Sequence, residues 1–129
     1  MGLVDSLADA IARHELDVEF VGLRVSGDGL SARVAWPWPN GTRVEHDELM
    51  LLAERRGLRR ALQAWLLQAC ACQIALRTRA GTAVPIVLQA RRGDFGRLDI
   101  EWTTVRWGID AELLQVPLER TVLPVAAAA

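Results

Sequence analysis

The stretch from Trp36 to Gln73 leaves a chain few ways to fold. Trp36-Pro37-Trp38-Pro39-Asn40-Gly41 closes an extended segment, because proline has no amide proton for a strand ladder and Asn-Gly favours a turn. His46 or Asp47 can then cap a short helix through about Arg56, with Leu49, Met50, Leu52 and Ala53 apolar, and Gly57 stops it. A long helix follows from about Leu58 to Arg79. Leu58, Leu62, Trp65, Leu66, Ala69 and Gln73 form one stripe, and Leu67, Cys70, Ala71 and Ile74 widen it. So wide a stripe needs cover on more than one side. The stretch is rich in residues that pack and poor in residues that react.

The flanks supply the layers this helix packs on. Leu3, Leu7, Ala10, Ile11 and His14 recur at helical spacing; His14 reads as a helix-end residue, where a cation is favourable. Leu16, Val18 and Phe20 alternate with Asp17, Glu19 and Val21, the period of a strand. Ser26-Gly27-Asp28-Gly29 is a turn, and Leu30, Ala32, Val34 and Trp36 share one face of a second strand, which predicts an antiparallel hairpin. Val84 to Leu88 is a continuous apolar run, the pattern of a parallel strand buried on both faces. Residues 91–95 read as a loop. Leu98, Trp102, Val105 and Ile109 then fit a helix with Gly108 near its end, and Leu113, Leu114, Val116 and Leu118 a last strand interrupted by Pro117. Strands alternating with helices make the chain α/β. Its 129 residues suit one domain over 1–123, with 124–129 (Pro-Val and four alanines) a disordered tail.

Charge and composition exclude several function classes. A net charge of −1 gives no field to gather nucleic acid or an anionic membrane. All fifteen basic residues are arginine, and Arg55, Arg56, Arg59 and Arg60 cluster; they read as a solvated helix face or, more sharply, as a patch for an acidic partner. No apolar run approaches a membrane span and the first residues lack a secretory pattern, so a cytoplasmic protein is expected. Cys70 and Cys72 lie roughly 200° apart on a helix and cannot pair. Only His14 and His46 could join them at a metal, so they read as small buried thiols.

Taken in order, the chain resembles the first half of the EAL domain, the cyclic-di-GMP phosphodiesterase family. That family has Arg-Trp-x-His-Pro-x-Gly, then Pro-x-Glu-Phe-Ile-Pro-Leu-Ala-Glu-x-x-Gly-Leu, then Leu-x-x-Trp-Val-Leu-x-x-Ala-Cys-x-Gln. Here Trp36, Pro39, Gly41, Glu48, Leu49, Leu52, Ala53, Glu54, Gly57, Leu58, Leu62, Trp65, Leu67, Ala69, Cys70 and Gln73 stand at the matching spacing. The resemblance implies a partial (half) TIM-barrel-like EAL fold: a mixed sheet with an N-terminal antiparallel hairpin and flanking helices.

The chemistry does not carry over with it. By the resemblance, the name-giving metal-binding glutamate falls on Ser31, its leucine on Arg33 and its phosphate-contacting arginine on Ala35. The glutamine of the first strand falls on Val21, the asparagine ligand on Val87 and the glutamate of Glu-Ile-Thr-Glu on Pro117. The Asp-Asp metal motif and the catalytic lysine belong to the second half, which this sequence does not contain. Two-metal hydrolysis needs several carboxylates, so the reading is of a degenerate domain: no enzyme, no catalytic residue, no cofactor and no metal. Binding of cyclic-di-GMP would fall to Arg33, Arg91 or Arg92.

Half a barrel would leave sheet edges and an apolar inner side open, with Val87, Leu88, Leu114, Val116 and Leu118 exposed and Pro117 blocking the edge. The expected function is therefore a non-catalytic assembly module that docks on itself or on a partner protein. Its candidate contacts are Trp38, Trp102, Trp107, Val116, Leu118, Arg55, Arg56 and Arg59, while Trp36 and Trp65 read as core. The alternative is a catalytically inactive sensor of cyclic-di-GMP or another nucleotide.

Overall fold

The computed structural model describes residues 3–23 and 29–119. Of the hairpin turn expected at 26–29, residues 26–28 lie outside the described residues, as does the tail expected at 124–129. Helix α1 (Leu3–Ala12) leads into β1 (Asp17–Gly22) and β2 (Leu30–Pro37), which pair antiparallel from Asp17↔Ala35 to Gly22↔Leu30. A two-residue strand β3 (Arg43–Val44) folds back on Trp36 and Pro37. Then come α2 (His46–Arg55), α3 (Arg59–Ala80), β4 (Ile86–Val87), β5 (Ala90–Arg91), α4 (Arg97–Trp107), a 3-10 turn (Ala111–Leu113), β6 (Leu114–Gln115) and β7 (Leu118–Glu119). The main sheet runs β1-β2-β4-β6, with β4 parallel to both neighbours, and β5 pairs β7 in parallel. The mixed sheet, the hairpin and the flanking helices agree with the expected architecture.

Each helix boundary has a local cause. Asp47 and Glu48 suit the positive end of α2. Gly57 takes φ 71°, which lets the Leu58 amide donate to the Ala53 carbonyl at 2.8 Å and the Gly57 amide to that of Glu54 at 3.2 Å. These are the two bonds of a Schellman stop, and α3 starts two residues later. Its buried residues Leu62, Gln63, Leu66, Leu67, Cys70, Ala71 and Ile74 cover the sheet. From the sheet come Ala32, Val34, Trp36, Ile86, Leu88 and Leu114; from the other helices come Leu7, Ala10, Leu49, Met50 and Ala53. Burying each of the larger side chains contributes about 1.5–3 kcal/mol. No helix among the described residues is long and apolar enough to cross a membrane.

The opposite face of the sheet overturns one expectation. Strand alternation puts Asp17, Glu19 and Val21 of β1 beside Ala35, Arg33 and Ser31 of β2, away from the core. Arg43, paired with Pro37, joins that face and bridges Asp17 at 3.8 Å, Glu19, and Glu45 at 3.2 Å. The face is charged, not apolar; Val21, 44% exposed, is its open hydrophobe. Leu88 and Leu114 are buried, Val87 is nearly so and Val116 packs against the core, so none of these four is the exposed edge residue expected. Leu118 lies on β7 without a described side chain.

Pro117 also acts differently. The Leu88 amide donates to the Gln115 carbonyl at 2.9 Å and the Ala90 amide to the Pro117 carbonyl at 3.2 Å. In a parallel ladder the amide and carbonyl of one residue point the same way, so the proton Pro117 lacks is missing from the paired side. It splits the strand into β6 and β7 and does not block the free edge.

Candidate functional site

Two regions answer to the sequence expectations. The first is a row of residues across the sheet. Val21 pairs Ser31, Ser31 pairs Val87 and Val87 pairs Gln115, so four strands present one residue each. Val21, Ser31 and Val87 are the positions the EAL resemblance selects. The fourth is Gln115 and not Pro117, because β6 enters register directly after the 3-10 turn. The row offers one hydroxyl and one carboxamide between two valines. No member carries a carboxylate, and hard divalent cations need several anionic oxygens, so these residues do not fit a metal pair. Glu19, in the next row, is engaged by Arg43, whose guanidinium is held above its ordinary pKa by the Glu19 hydrogen bond first and by Glu45 and Asp17 beyond it. Arg33, beside Glu19, reaches Asp47 at 3.7 Å.

The second region is α4. Asp99 accepts the Gly96 amide at 2.7 Å to open the helix, and Gly108, at φ 63°, closes it. Its inner face is held by polar contacts. Trp107 donates its indole N–H to Gln68 Oε1 at 2.7 Å, Gln68 Nε2 donates to Thr103 Oγ1 at 3.1 Å, and Thr103 donates to the Asp99 carbonyl at 2.7 Å. Thr103 is buried, and Ile100 packs against the core. The periodic apolar residues therefore face out: Leu98 is 62% exposed, Trp102 69% and Val105 75%. Ile109, beyond the helix end, packs against the core instead.

The other candidates are dispersed. Trp38 is half-buried and meets Trp36 edge-on, ring centroids 5.6 Å apart and 78° between planes. Arg55 and Arg56 end α2 and are exposed. Arg59 does not stand with them: its Nε and Nη2 donate to the two Asp94 oxygens at 2.9 and 3.0 Å. Asp94 also accepts from Gln63 at 2.9 Å and from the Arg91 amide at 2.8 Å. Burial alone pushes the Asp94 carboxyl up, but Arg59, the Arg91 amide and Gln63 together outweigh it and hold it below its ordinary range. Sequence reasoning missed this clamp, since Arg59 and Asp94 are thirty-five residues apart. His14 stands just past the end of α1, as expected, at φ 57°; what the spacing did not show is that its Nδ1 accepts the Trp65 indole N–H at 2.8 Å. Cys70 is buried, its thiol pushed up to about 12 by desolvation, and Cys72 is half-buried; both are free. Among the described residues no three His, Cys, Asp or Glu side chains gather as an ion would need.

No protein family matches the chain by sequence, and no curated protein does. Solved structures do match its fold. The PaMucR phosphodiesterase in complex with c-di-GMP superposes with a TM-score of 0.79 at 20% identity, over 99% of this chain and 56% of that one. The EAL enzyme Bd1971 in its cAMP-bound form superposes with a TM-score of 0.61 at 12% identity, over 93% of this chain and 39% of that one. The fold is thus that of part of an EAL-type barrel, and the chain spans about half the length of the first of these structures.

Proposed function

We propose that this chain is a non-catalytic interaction module on an EAL-type scaffold, working in the cytoplasm and docking through α4 and the open β6 edge on itself or on a partner protein. One observation carries the reading. The row Val21–Ser31–Val87–Gln115 has no carboxylate, whereas α4 turns Leu98, Trp102 and Val105 to solvent. A helix that hides a threonine and exposes a tryptophan inverts the usual order of burial, and an aromatic with apolar neighbours is what interface centres are built from. Arg55 and Arg56 remain as candidate contacts for an acidic partner.

Two measurements test this. Incubated with cyclic-di-GMP and Mg²⁺ or Mn²⁺, the purified chain should release product at the no-protein rate; faster turnover overturns the non-catalytic reading. Isolated from its source by a tag and sized by light scattering, the chain should travel in a particle heavier than one copy; recovery as the lone monomer overturns the interaction reading. Calorimetry with cyclic-di-GMP decides the sensor alternative, which Arg33 on the polar sheet face favours. Heat of binding that Arg33→Ala removes would establish it.

A further inference from the structure

The exposed residues of α4 have the spacing of a coiled-coil seam. Leu98, Trp102 and Val105 are separated by four and three residues and occupy heptad positions d, a and d. In that frame Glu101 falls at g and Arg106 at e. At ~100° per residue they lie ~140° apart, on either side of the stripe. Both are exposed and neither forms an ion pair among the described residues. One helix thus carries an apolar seam, a free carboxylate on one flank and a free guanidinium on the other.

We propose that this face binds a second copy of the chain, with the two α4 helices parallel about a two-fold axis along the seam. The charges choose the orientation. In a parallel pair a g residue faces the e residue five positions on in its neighbour, so Glu101 of each copy meets Arg106 of the other, twice. In an antiparallel pair g faces g and e faces e, bringing Glu101 against Glu101 and Arg106 against Arg106. In the parallel pair Leu98, Trp102 and Val105 each stack on their own counterpart. A seam of about two turns buries less than the roughly 1,600 Å² of a standard interface, so the pair forms and dissociates with concentration. This rests on the interaction reading and names its partner.

Sedimentation equilibrium on the purified chain tests it. The wild type should pass from monomer to dimer with rising concentration, and a monomer throughout overturns the pairing. The wider interaction reading survives that result if source-isolated material contains another polypeptide. Glu101→Arg and Arg106→Glu, each alone, should weaken the dimer by roughly tenfold. Glu101→Arg/Arg106→Glu in one chain should restore it, and so should an equimolar mixture of the two single variants. Single variants that dimerise like wild type, or a double variant that stays dissociated, overturn the proposal. Trp102→Ala should abolish the dimer; this exposed side chain can be removed with the circular dichroism of the fold unchanged, and a dimer that survives its loss places the contact elsewhere.

Discussion

Arg59 and Asp94, far apart in sequence, are joined by a two-bond ion pair at 2.9 and 3.0 Å. Both side chains are largely out of water, so removing either leaves the other charged and unmatched. Arg59→Ala should therefore cost about 3 kcal/mol in chemical denaturation, whereas Arg55→Ala and Arg56→Ala, at the solvated end of α2, should each stay within about 0.5 kcal/mol. The clamp also sets an acid limit. Because folding lowers the Asp94 pKa, its contribution is full above the unfolded value of about 3.9 and is lost as pH falls through the lower folded one. Asp94→Asn should flatten that limb of the stability–pH curve. Cys70 works in the opposite sense. With its pKa at about 12, the unfolded chain loses this proton first above about pH 8.5, so its contribution fades as pH rises. Iodoacetamide at mild alkaline pH should label Cys72 alone in the native protein, and Cys70 only after denaturant is added. The burial of Cys70 was legible in the sequence and the clamp was not: an arginine in a run of arginines gives no sign that one of them turns inward.

At the scale of elements, the period of the apolar residues was a good guide to helices and a weaker one to their facing. The wide stripe on α3 does pack as its spacing predicts. Leu66→Ala should cost about 2–5 kcal/mol, while Leu76→Ala, on the open side of the same helix, should be nearly silent; equal costs would mean that α3 is rotated. On α4 the same pattern predicts a helix and nothing about which side is inside, because Trp107, Gln68 and Thr103 decide that by hydrogen bonds across α3. Gln68→Ala should thus loosen α4, read as faster amide exchange over Arg97–Trp107. Strands β3 and β5, two residues each, are too short to carry a period and were invisible, while β7 begins at Leu118, the last residue of the strand expected there. No register was legible for β6, which follows the 3-10 turn directly and sets Gln115 beside Val87.

For the whole molecule, an arc of barrel staff has to live with the face that a closed barrel would hide. Here that face is furnished with Asp17, Glu19, Arg33 and Arg43, which water solvates and which neutralise one another. The exposed hydrophobic area is concentrated instead on α4. The resemblance in sequence identified the scaffold but not the polar residues of this face, since alternation alone does not say which side of a sheet a barrel would have enclosed. The position of Trp102 has one more consequence. Of the five indoles it is by far the most open, with Trp36 buried, Trp38 and Trp65 half-covered and Trp107 bonded to Gln68. Collisional quenching by iodide or acrylamide therefore reads chiefly this one ring: the molecule carries a built-in optical gauge, and the fraction of its emission that a quencher can reach reports how often α4 is covered.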